Sequence, residues 1–129
     1  MTVEVPEGLR YTHDHEWLRL DGAEGVVGIT AYAAEELGDV VFVKLPPVGR
    51  HIEKAAAFGV IESVKTASDL FAPAAGEIVA VNDKLASAPE LVNSDPYGDG
   101  WMVRLRLDDP SASESLMDAA AYRTQVEAG

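Results

Sequence analysis

Turn-forming residues divide the chain into many short segments, and this division limits the folds that it can adopt. Segments rich in β-branched and aromatic residues recur, with turns at intervals of about 8 to 12 residues. The predicted strands are His15–Leu20, Val26–Ile29, Val40–Leu45, Phe58–Ser63, Ala67–Phe71, Glu77–Val81, Trp101–Leu107 and a short extended segment, Leu91–Asn93. This pattern predicts a mainly β fold, a sandwich or a barrel, in which the aromatic side chains Trp17, Trp101, Phe42 and Phe58 belong to the core.

Helices are predicted at two places only. Thr30 can cap a short helix over Ala31–Leu37, and Gly38 fits the position just past its end. Near the end of the chain, the segment Ser111–Glu114 matches a capping box and starts one or two short helices that reach about Glu127. We therefore expect a single domain over residues 1–129, with a core over about 9–107 and a helical tail over about 111–127.

The charge excludes several classes of partner. The formal net charge is −12 and the sequence pI is about 4.4. The lysine and arginine residues do not form a cluster in the sequence. Nucleic-acid binding needs a basic surface that neutralises phosphates, so we expect neither nucleic acid nor an anionic membrane surface as a partner. No stretch approaches the roughly 20 apolar residues of a membrane span.

The absence of cysteine limits the chemistry open to the chain, and its first residues bear on where the protein is located. The chain has no cysteine, which removes disulfides, thiolate metal sites and a cysteine nucleophile. The segment Met1–Pro6 has neither the basic and apolar regions of a signal peptide nor the arginine-rich composition of a mitochondrial presequence. We expect a cytoplasmic protein if Met1 is the natural start, or a protein of the mitochondrial matrix if the chain is a mature organellar form.

Lys65 is the residue most suited to a carrier function. Val64, Lys65 and Thr66 can form the turn between two predicted strands, with small or polar residues around them. A hairpin tip exposes an amine on a rigid support, which gives a modifying enzyme access and gives a swinging arm a fixed anchor. On pattern alone, an ordinary solvated lysine is the more common explanation of such a residue.

Motifs along most of the chain resemble those of the glycine cleavage H-protein family. The hairpin segment Glu62–Lys65, followed by Ser68–Leu70 and Pro73–Glu77, resembles that family's lipoylation hairpin. Further matching motifs occur in the same order, covering roughly residues 9–107: Tyr11–Thr12 with His15–Trp17, Gly28–Thr30 with Tyr32–Ala33, Leu37–Val43 with Leu45–Pro46, Pro89–Asn93, and Asp95–Gly98 with Gly100–Trp101.

The resemblance implies a fold and a cofactor. The fold would be a flattened β-sandwich of the biotinyl/lipoyl type, a barrel-sandwich hybrid with a short internal helix and C-terminal helices. Lipoate would be bound covalently to Lys65 through an amide. A lipoyl ligase or lipoyltransferase would recognise the neighbours Glu62, Ser63, Val64 and Asp69.

The resemblance also implies a function. The lipoyl group on Lys65 would carry the aminomethyl group of glycine from a pyridoxal-phosphate-dependent glycine decarboxylase to a tetrahydrofolate-dependent aminomethyltransferase. Dihydrolipoyl dehydrogenase would then reoxidise it. The chain itself would catalyse nothing and would act as a monomer. Glu16 and Asp14, together with Asp69, are candidates to meet the amine of the loaded arm in a cleft.

Three alternatives remain open at this stage. Biotinyl domains typically set the modified lysine between two methionines, whereas Val64 and Thr66 flank Lys65 here, which favours lipoate. A lipoyl relay protein that passes lipoate to 2-oxoacid dehydrogenases would need the same exposed lysine. A small metal-dependent hydrolase could be built on His13, His15 and Glu16, although a metal site needs three or four convergent ligands, and we expect none.

Overall fold

The computed structural model describes residues 4–128, which form two antiparallel sheets and several short helices. The elements are β1 Arg10–Tyr11, β2 Glu16–Asp21, β3 Glu24–Ile29, α1 Ala31–Leu37, β4 Val40–Lys44, β5 His51–Ile52, β6 Ala57–Ser63, β7 Ala67–Phe71, β8 Gly76–Val81, α2 Lys84–Ser87, α3 Leu91–Ser94, β9 Val103–Leu107, a 3-10 helix Pro110–Ser115, and α4 Ala119–Ala128. None of the helices within residues 4–128 has the length and apolar character that crossing a membrane requires.

The sheets face each other across the main core. One has the strand order β1-β2-β3-β9-β8-β5, and the other has the order β4-β6-β7. Alternate residues of a strand point to opposite faces, so each strand can contribute one set of side chains to the space between the sheets. Leu18 and Val27 from the larger sheet lie in one buried cluster with Ile61 and Leu70 from the smaller sheet. The flattened β-sandwich that the family resemblance implied is therefore confirmed.

A second apolar cluster lies where α4 packs on the larger sheet. Tyr11, Trp17 and Val26 are buried there with Ala119 and Tyr122 of α4. The rings of Tyr11 and Tyr122 are stacked with their centroids 4.7 Å apart. The strands β2 and β3 thus carry buried side chains on both faces, and α4 is held against the start of β2.

The start and end of α1 follow the sequence prediction. The side chain of Thr30 accepts a hydrogen bond from the backbone N–H of Ala33 at 3.2 Å, as a capping residue should. Gly38 lies just past the helix with a φ of 80°, and its N–H donates to the carbonyl of Ala34. The helix is thereby placed between β3 and β4, directly beside the β6–β7 hairpin.

The extended prediction for Leu91–Asn93 was wrong, because these residues form the helix α3. The amide side chain of Asn93 accepts a hydrogen bond from the N–H of Val40 at 2.9 Å and donates to the carbonyl of Gly38 at 2.8 Å. Val92 is fully buried. These tertiary contacts override the weak local preference of a short apolar segment.

The tail prediction was right about helices and wrong about their boundaries. Asp109 caps the 3-10 helix by accepting from the N–H of Ser111, so the supposed capping box at Ser111 lies inside the helix. Met117 exchanges two backbone hydrogen bonds with Tyr11 and is therefore extended, and α4 begins only at Ala119. Pairing with β1 supplies Met117 with backbone partners that a helix would otherwise provide.

Two further predictions about strands and core residues need correction. β9 begins at Val103 rather than at Trp101, because the N–H of Trp101 closes a turn onto the carbonyl of Gly98. Phe42 is 48% exposed, since β4 is an edge strand with an irregular register between Val40 and Phe42. Trp17 and Phe58 are buried as predicted, whereas Trp101 is only partly buried.

Candidate functional site

Ser63 closes the turn that carries Lys65. The N–H of Ser63 donates to the carbonyl of Thr66 at 2.8 Å. The Ser63 hydroxyl oxygen accepts from the backbone N–H groups of Lys65 and Thr66, each at 3.2 Å. None of these bonds uses the side chain of Lys65, which is left exposed at the tip of the β6–β7 hairpin.

The turn is also attached to the segment that follows α1. The N–H of Val64 donates to the carbonyl of Asp39 at 3.0 Å, which fixes the base of the turn. A Cβ atom placed on Gly38 would lie 3.0 Å from Cε of Lys65, so the stem of the lysine passes close to the end of the helix. Among residues 4–128, no carboxylate forms an ion pair with Lys65. The turn is therefore fixed in place, and the amine that it carries is accessible.

A cleft of about 280 Å³ lies beside this hairpin. Its walls come from the segment before and into β2, from the end of β3, from α1, and from β6 and β7. The lining combines carboxylates with apolar side chains, namely Asp14, Glu16, Glu36 and Asp69 with Ile29, Ala33, Leu37, Ile61 and Leu70, and with His15, Tyr32 and Ser68. Such a surface suits a ligand with an aliphatic chain and a positively charged end.

Glu16 is the buried carboxylate of this cleft, with 2% of its surface exposed. One carboxylate oxygen accepts from the hydroxyl of Thr12 at 2.6 Å, and the other accepts from the N–H of Phe71 at 3.3 Å. Burial raises the pKa of Glu16 to about 7, and these two hydrogen bonds oppose the rise because they stabilise the ionised form. Glu16 therefore changes its charge near neutral pH, and a cation in the cleft would favour its ionised form.

The structure places the residues singled out from the sequence in two adjoining groups. Glu62, Ser63 and Val64 lie with Lys65 at the hairpin tip, where Glu62 and Val64 are exposed. The three carboxylates predicted to meet an amine, Glu16, Asp14 and Asp69, all line the cleft. Asp69 lies on β7, so it is part of the hairpin that carries Lys65 and also part of the lining of the cleft.

The two histidines of the metal-dependent alternative do not converge on a common point. His13 uses its Nδ1 atom in a hydrogen bond with Gln125 at 2.9 Å, and His15 uses its Nδ1 atom with Tyr122 at 2.7 Å. Within the described part of the chain, the group of three metal-ligating side chains with ligand atoms within 4.8 Å of one another is elsewhere, at His51, Glu53 and Asp108.

That surface group is accounted for without an ion. The two ring nitrogens of His51 face Glu53 at 3.1 Å and Asp108 at 2.6 Å. The hydrogen bond that the ring N–H of His51 donates to the carboxylate of Asp108 raises the pKa of His51, since it stabilises the imidazolium. All three side chains are exposed, and their arrangement is that of a surface ion pair.

Sequence reasoning missed the contribution of α1 and of His15 to the cleft. Tyr32, Ala33, Glu36 and Leu37 line it, and their spacing along a helix puts them on one face. That spacing could have indicated that these residues share one face of the helix, but it could not show which element that face would pack against. The contact depends on the way α1 packs beside a hairpin that follows it in the chain.

Comparisons with known proteins agree with this geometry. The family model for the glycine cleavage H-protein matches residues 9–129. The chain is 54% identical over 127 residues to the glycine cleavage system H protein of Symbiobacterium thermophilum, covering 98% of this chain and 99% of that one. It is 50% identical over 127 residues to the probable glycine cleavage system H protein of Haloarcula marismortui, covering 98% and 100%.

A solved structure shows the same fold. The crystal structure of a glycine cleavage system H protein from Mycobacterium marinum matches with a TM-score of 0.86 and 41% sequence identity, covering 94% of this chain and 98% of that chain. The sequence matches extend over nearly the whole chain, and they include the hairpin and the cleft. The chain therefore belongs to the glycine cleavage H-protein family.

Proposed function

We propose that the chain carries lipoate in amide linkage to Nζ of Lys65 and serves as the non-catalytic carrier of the glycine cleavage system. The observation that carries this proposal is the exposed amine of Lys65 on a hydrogen-bonded hairpin tip, next to a cleft lined by acidic and apolar side chains. The residues present fit the group, because the lysine is accessible for acylation and the apolar wall suits an aliphatic arm.

When bound, lipoate would supply a disulfide able to take up the aminomethyl group from glycine decarboxylase for the aminomethyltransferase, and a dithiol that dihydrolipoyl dehydrogenase could reoxidise. The chain supplies the anchor and the shelter. Lys65 fixes one end of the arm at the turn closed by Ser63. Ile29, Ile61 and Leu70 line the apolar part of the cleft and exclude water from its floor.

The carboxylates of the cleft would hold the charged end of the arm. Glu16 is buried and has its two oxygens placed by Thr12 and Phe71, whereas Asp14 and Asp69 are exposed at the rim. A carboxylate in a partly apolar cleft attracts an ammonium group more strongly than one in water, because screening there is weaker. Glu16 is therefore proposed as the main contact and the other two as supporting ones.

The modifying enzyme would read the outside of the hairpin. Glu62 and Val64 are exposed next to Lys65, and Val64 has 68% of its surface accessible. Ser63 fixes the shape of the turn, and Asp69 adds a charge on the returning strand. A lipoyl ligase or lipoyltransferase that contacts these neighbours can select Lys65 from the exposed lysines elsewhere on the surface.

Intact-mass measurement with fragmentation tests the attachment site. The full chain is expressed with lipoate and a lipoyl ligase, and we expect a single lipoyl adduct on Lys65. A folded chain that stays unmodified, or one modified at another lysine, would refute the proposal. Reconstitution with glycine decarboxylase, aminomethyltransferase and dihydrolipoyl dehydrogenase then tests the pathway. Glycine-dependent reduction of NAD is expected, whereas lipoate transfer to a 2-oxoacid dehydrogenase without glycine turnover would indicate the relay function.

Gly38 is expected to matter for lipoylation as well as for stability. Its φ of 80° lies in the left-handed region, so Gly38→Ala should destabilise the fold by about 1 to 3 kcal/mol. The added methyl group would also meet Cε of Lys65 at 3.0 Å and displace the lysine stem. We expect a lower initial rate of lipoylation, measured by intact mass under conditions in which the variant is fully folded.

Gly49→Ala is the matched control for this substitution. Gly49 has a φ of 97° and open space where a Cβ atom would lie, so its substitution strains the backbone without contacting Lys65. The control should lose stability in urea denaturation and keep the normal rate of lipoylation. Equal lipoylation rates in the two variants would show that the contact between Gly38 and Lys65 has no part in modification.

A further inference from the structure

The hydroxyl group of Tyr122 bonds to two sides of the cleft. Tyr122 lies on α4, and its hydroxyl oxygen is 2.7 Å from Nδ1 of His15 and 2.7 Å from the hydroxyl oxygen of Thr30. His15 belongs to the segment that forms one wall, and Thr30 caps the helix α1 that forms another. Tyr122 and Thr30 are fully buried, so neither hydroxyl has water as a partner.

The directions of these hydrogen bonds follow from counting donors and acceptors. The Thr30 oxygen already accepts from the N–H of Ala33 at 3.2 Å, and its own buried proton needs an acceptor. Among the described residues, the acceptor within reach of that proton is the hydroxyl oxygen of Tyr122. Tyr122 has one proton of its own, which is then donated to Nδ1 of His15. An Nδ1 atom that accepts a hydrogen bond carries no proton, so His15 is protonated at Nε2 alone.

Charged groups surround His15 from several elements. Burial lowers the pKa of His15, and the charges of Asp14 and Glu36, which favour the imidazolium, offset only part of this shift. Glu16 and Asp69 share the cleft with it, and the ring of Tyr32 lies 4.9 Å away, centroid to centroid. Within residues 4–128, Nε2 of His15 has no hydrogen-bond partner. The ring of His15, which lines the cleft, therefore carries an uncharged N–H donor.

We propose that Tyr122 is a positioning residue which, through its hydrogen bonds with Thr30 and His15, holds His15 as the neutral tautomer with its proton on Nε2. This inference rests on the proposed carrier function for its biological meaning. A neutral His15 leaves the negative charge of the cleft undiminished for a positively charged arm end. An imidazolium at the same place would offset one carboxylate and repel the amine.

The tautomer can be measured on the chain before lipoylation, so this test is independent of the attachment site. In NMR spectra of ¹⁵N-labelled protein, the ring nitrogens of His15 are expected to show an unprotonated Nδ1 and a protonated Nε2, with a titration midpoint below 6.5. In Tyr122→Phe, the donor to Nδ1 is lost. We expect a mixture of tautomers and a midpoint that moves upward toward 6.5.

Tyr11→Phe is the control. Tyr11 is equally buried and stacks on Tyr122, but its hydroxyl donates to the carbonyl of Pro6 at 2.6 Å and does not contact His15. This variant should lose stability and leave the His15 signals unchanged. A proton on Nδ1 in the unsubstituted chain would overturn the proposal, and so would identical His15 spectra in Tyr122→Phe and the unsubstituted chain.

The pH profile of carrier turnover provides the second readout. In the reconstituted system, the ratio of kcat/KM for Tyr122→Phe to that of the unsubstituted chain should fall as the pH drops below about 7, because His15 gains its charge at higher pH in the variant. The corresponding ratio for Tyr11→Phe should not depend on pH. A ratio independent of pH for Tyr122→Phe would contradict the role assigned to the neutral histidine.

Discussion

Replacing Lys65 with Arg is expected to abolish lipoylation and to reduce glycine-dependent turnover to the level of a reaction without the chain. The guanidinium group keeps the positive charge of the lysine, but it stays protonated in proteins and does not become the amine nucleophile that acylation needs. The turn should survive, because Ser63 bonds to the backbone N–H groups of residues 65 and 66 and not to the lysine side chain. The free energy of unfolding should change by less than about 0.5 kcal/mol.

Lys84→Arg is the matched control for this prediction. Lys84 is also exposed, but it lies on α2, away from the hairpin turn in the sequence. The control should be lipoylated at the normal rate and support normal turnover, as judged by intact mass and by NAD reduction. If the Lys65→Arg protein supported turnover, the carrier function would have to be assigned to another residue.

Glu16→Gln is expected to stabilise the chain above neutral pH and to impair carrier function. The pKa of Glu16 is about 7 in the folded chain, against an ordinary value of 4.5. Because folding raises this pKa, the folded state binds the proton more tightly, and the stabilisation that the proton provides is lost as the pH rises from about 4.5 to about 7. A shift of that size corresponds to about 3 kcal/mol.

The glutamine has no charge to desolvate, but its amide oxygen can replace only one of the two carboxylate oxygens that accept hydrogen bonds from Thr12 and Phe71. The lost hydrogen bond costs about 1 kcal/mol at every pH. We therefore expect Glu16→Gln to be more stable than the unsubstituted chain by about 2 kcal/mol at pH 8 and less stable by about 1 kcal/mol at pH 4.

Urea denaturation of the non-lipoylated protein at these two pH values measures the difference. Glu62→Gln, at an exposed carboxylate of the hairpin, should show a difference of less than about 0.5 kcal/mol at both. If Glu16→Gln and Glu62→Gln changed the free energy of unfolding by equal amounts at pH 8, and again at pH 4, the burial of a charge at Glu16 would not explain the stability of the variant. In the reconstituted reaction, losing the charged partner of the amine should lower kcat/KM about tenfold or more.

The sequence was sufficient where local pattern and fold agree. Two predicted strands on either side of the turn Val64–Thr66 indicated the β6–β7 hairpin, and Thr30 with Gly38 marked the ends of α1. The position of Lys65 at the tip of that hairpin followed from the same pattern. These features depend on residues that are near one another in the chain.

The features that the sequence did not predict depend on contacts between residues that are far apart in the chain. Leu91–Asn93 became helical because the side chain of Asn93 bonds to the start of β4. Phe42 was expected in the core, yet an irregular register in an edge strand turns it outward. The hydrogen bond between Tyr122 and His15 joins positions 107 residues apart, and no local pattern of sequence encodes it.

The stacking of α4 on β1 has a consequence for the order of events during synthesis. The hairpin that presents Lys65 and the residues that line the cleft are complete once residue 71 has been made, whereas Tyr122 is added only 51 residues later (122 minus 71). At about 5 to 20 residues per second, the ribosome needs about 3 to 10 seconds to cover that interval. The attachment site and the lining of the cleft are therefore synthesised early, and the tyrosine that bonds to Thr30 and His15 is among the last parts of the molecule to be made.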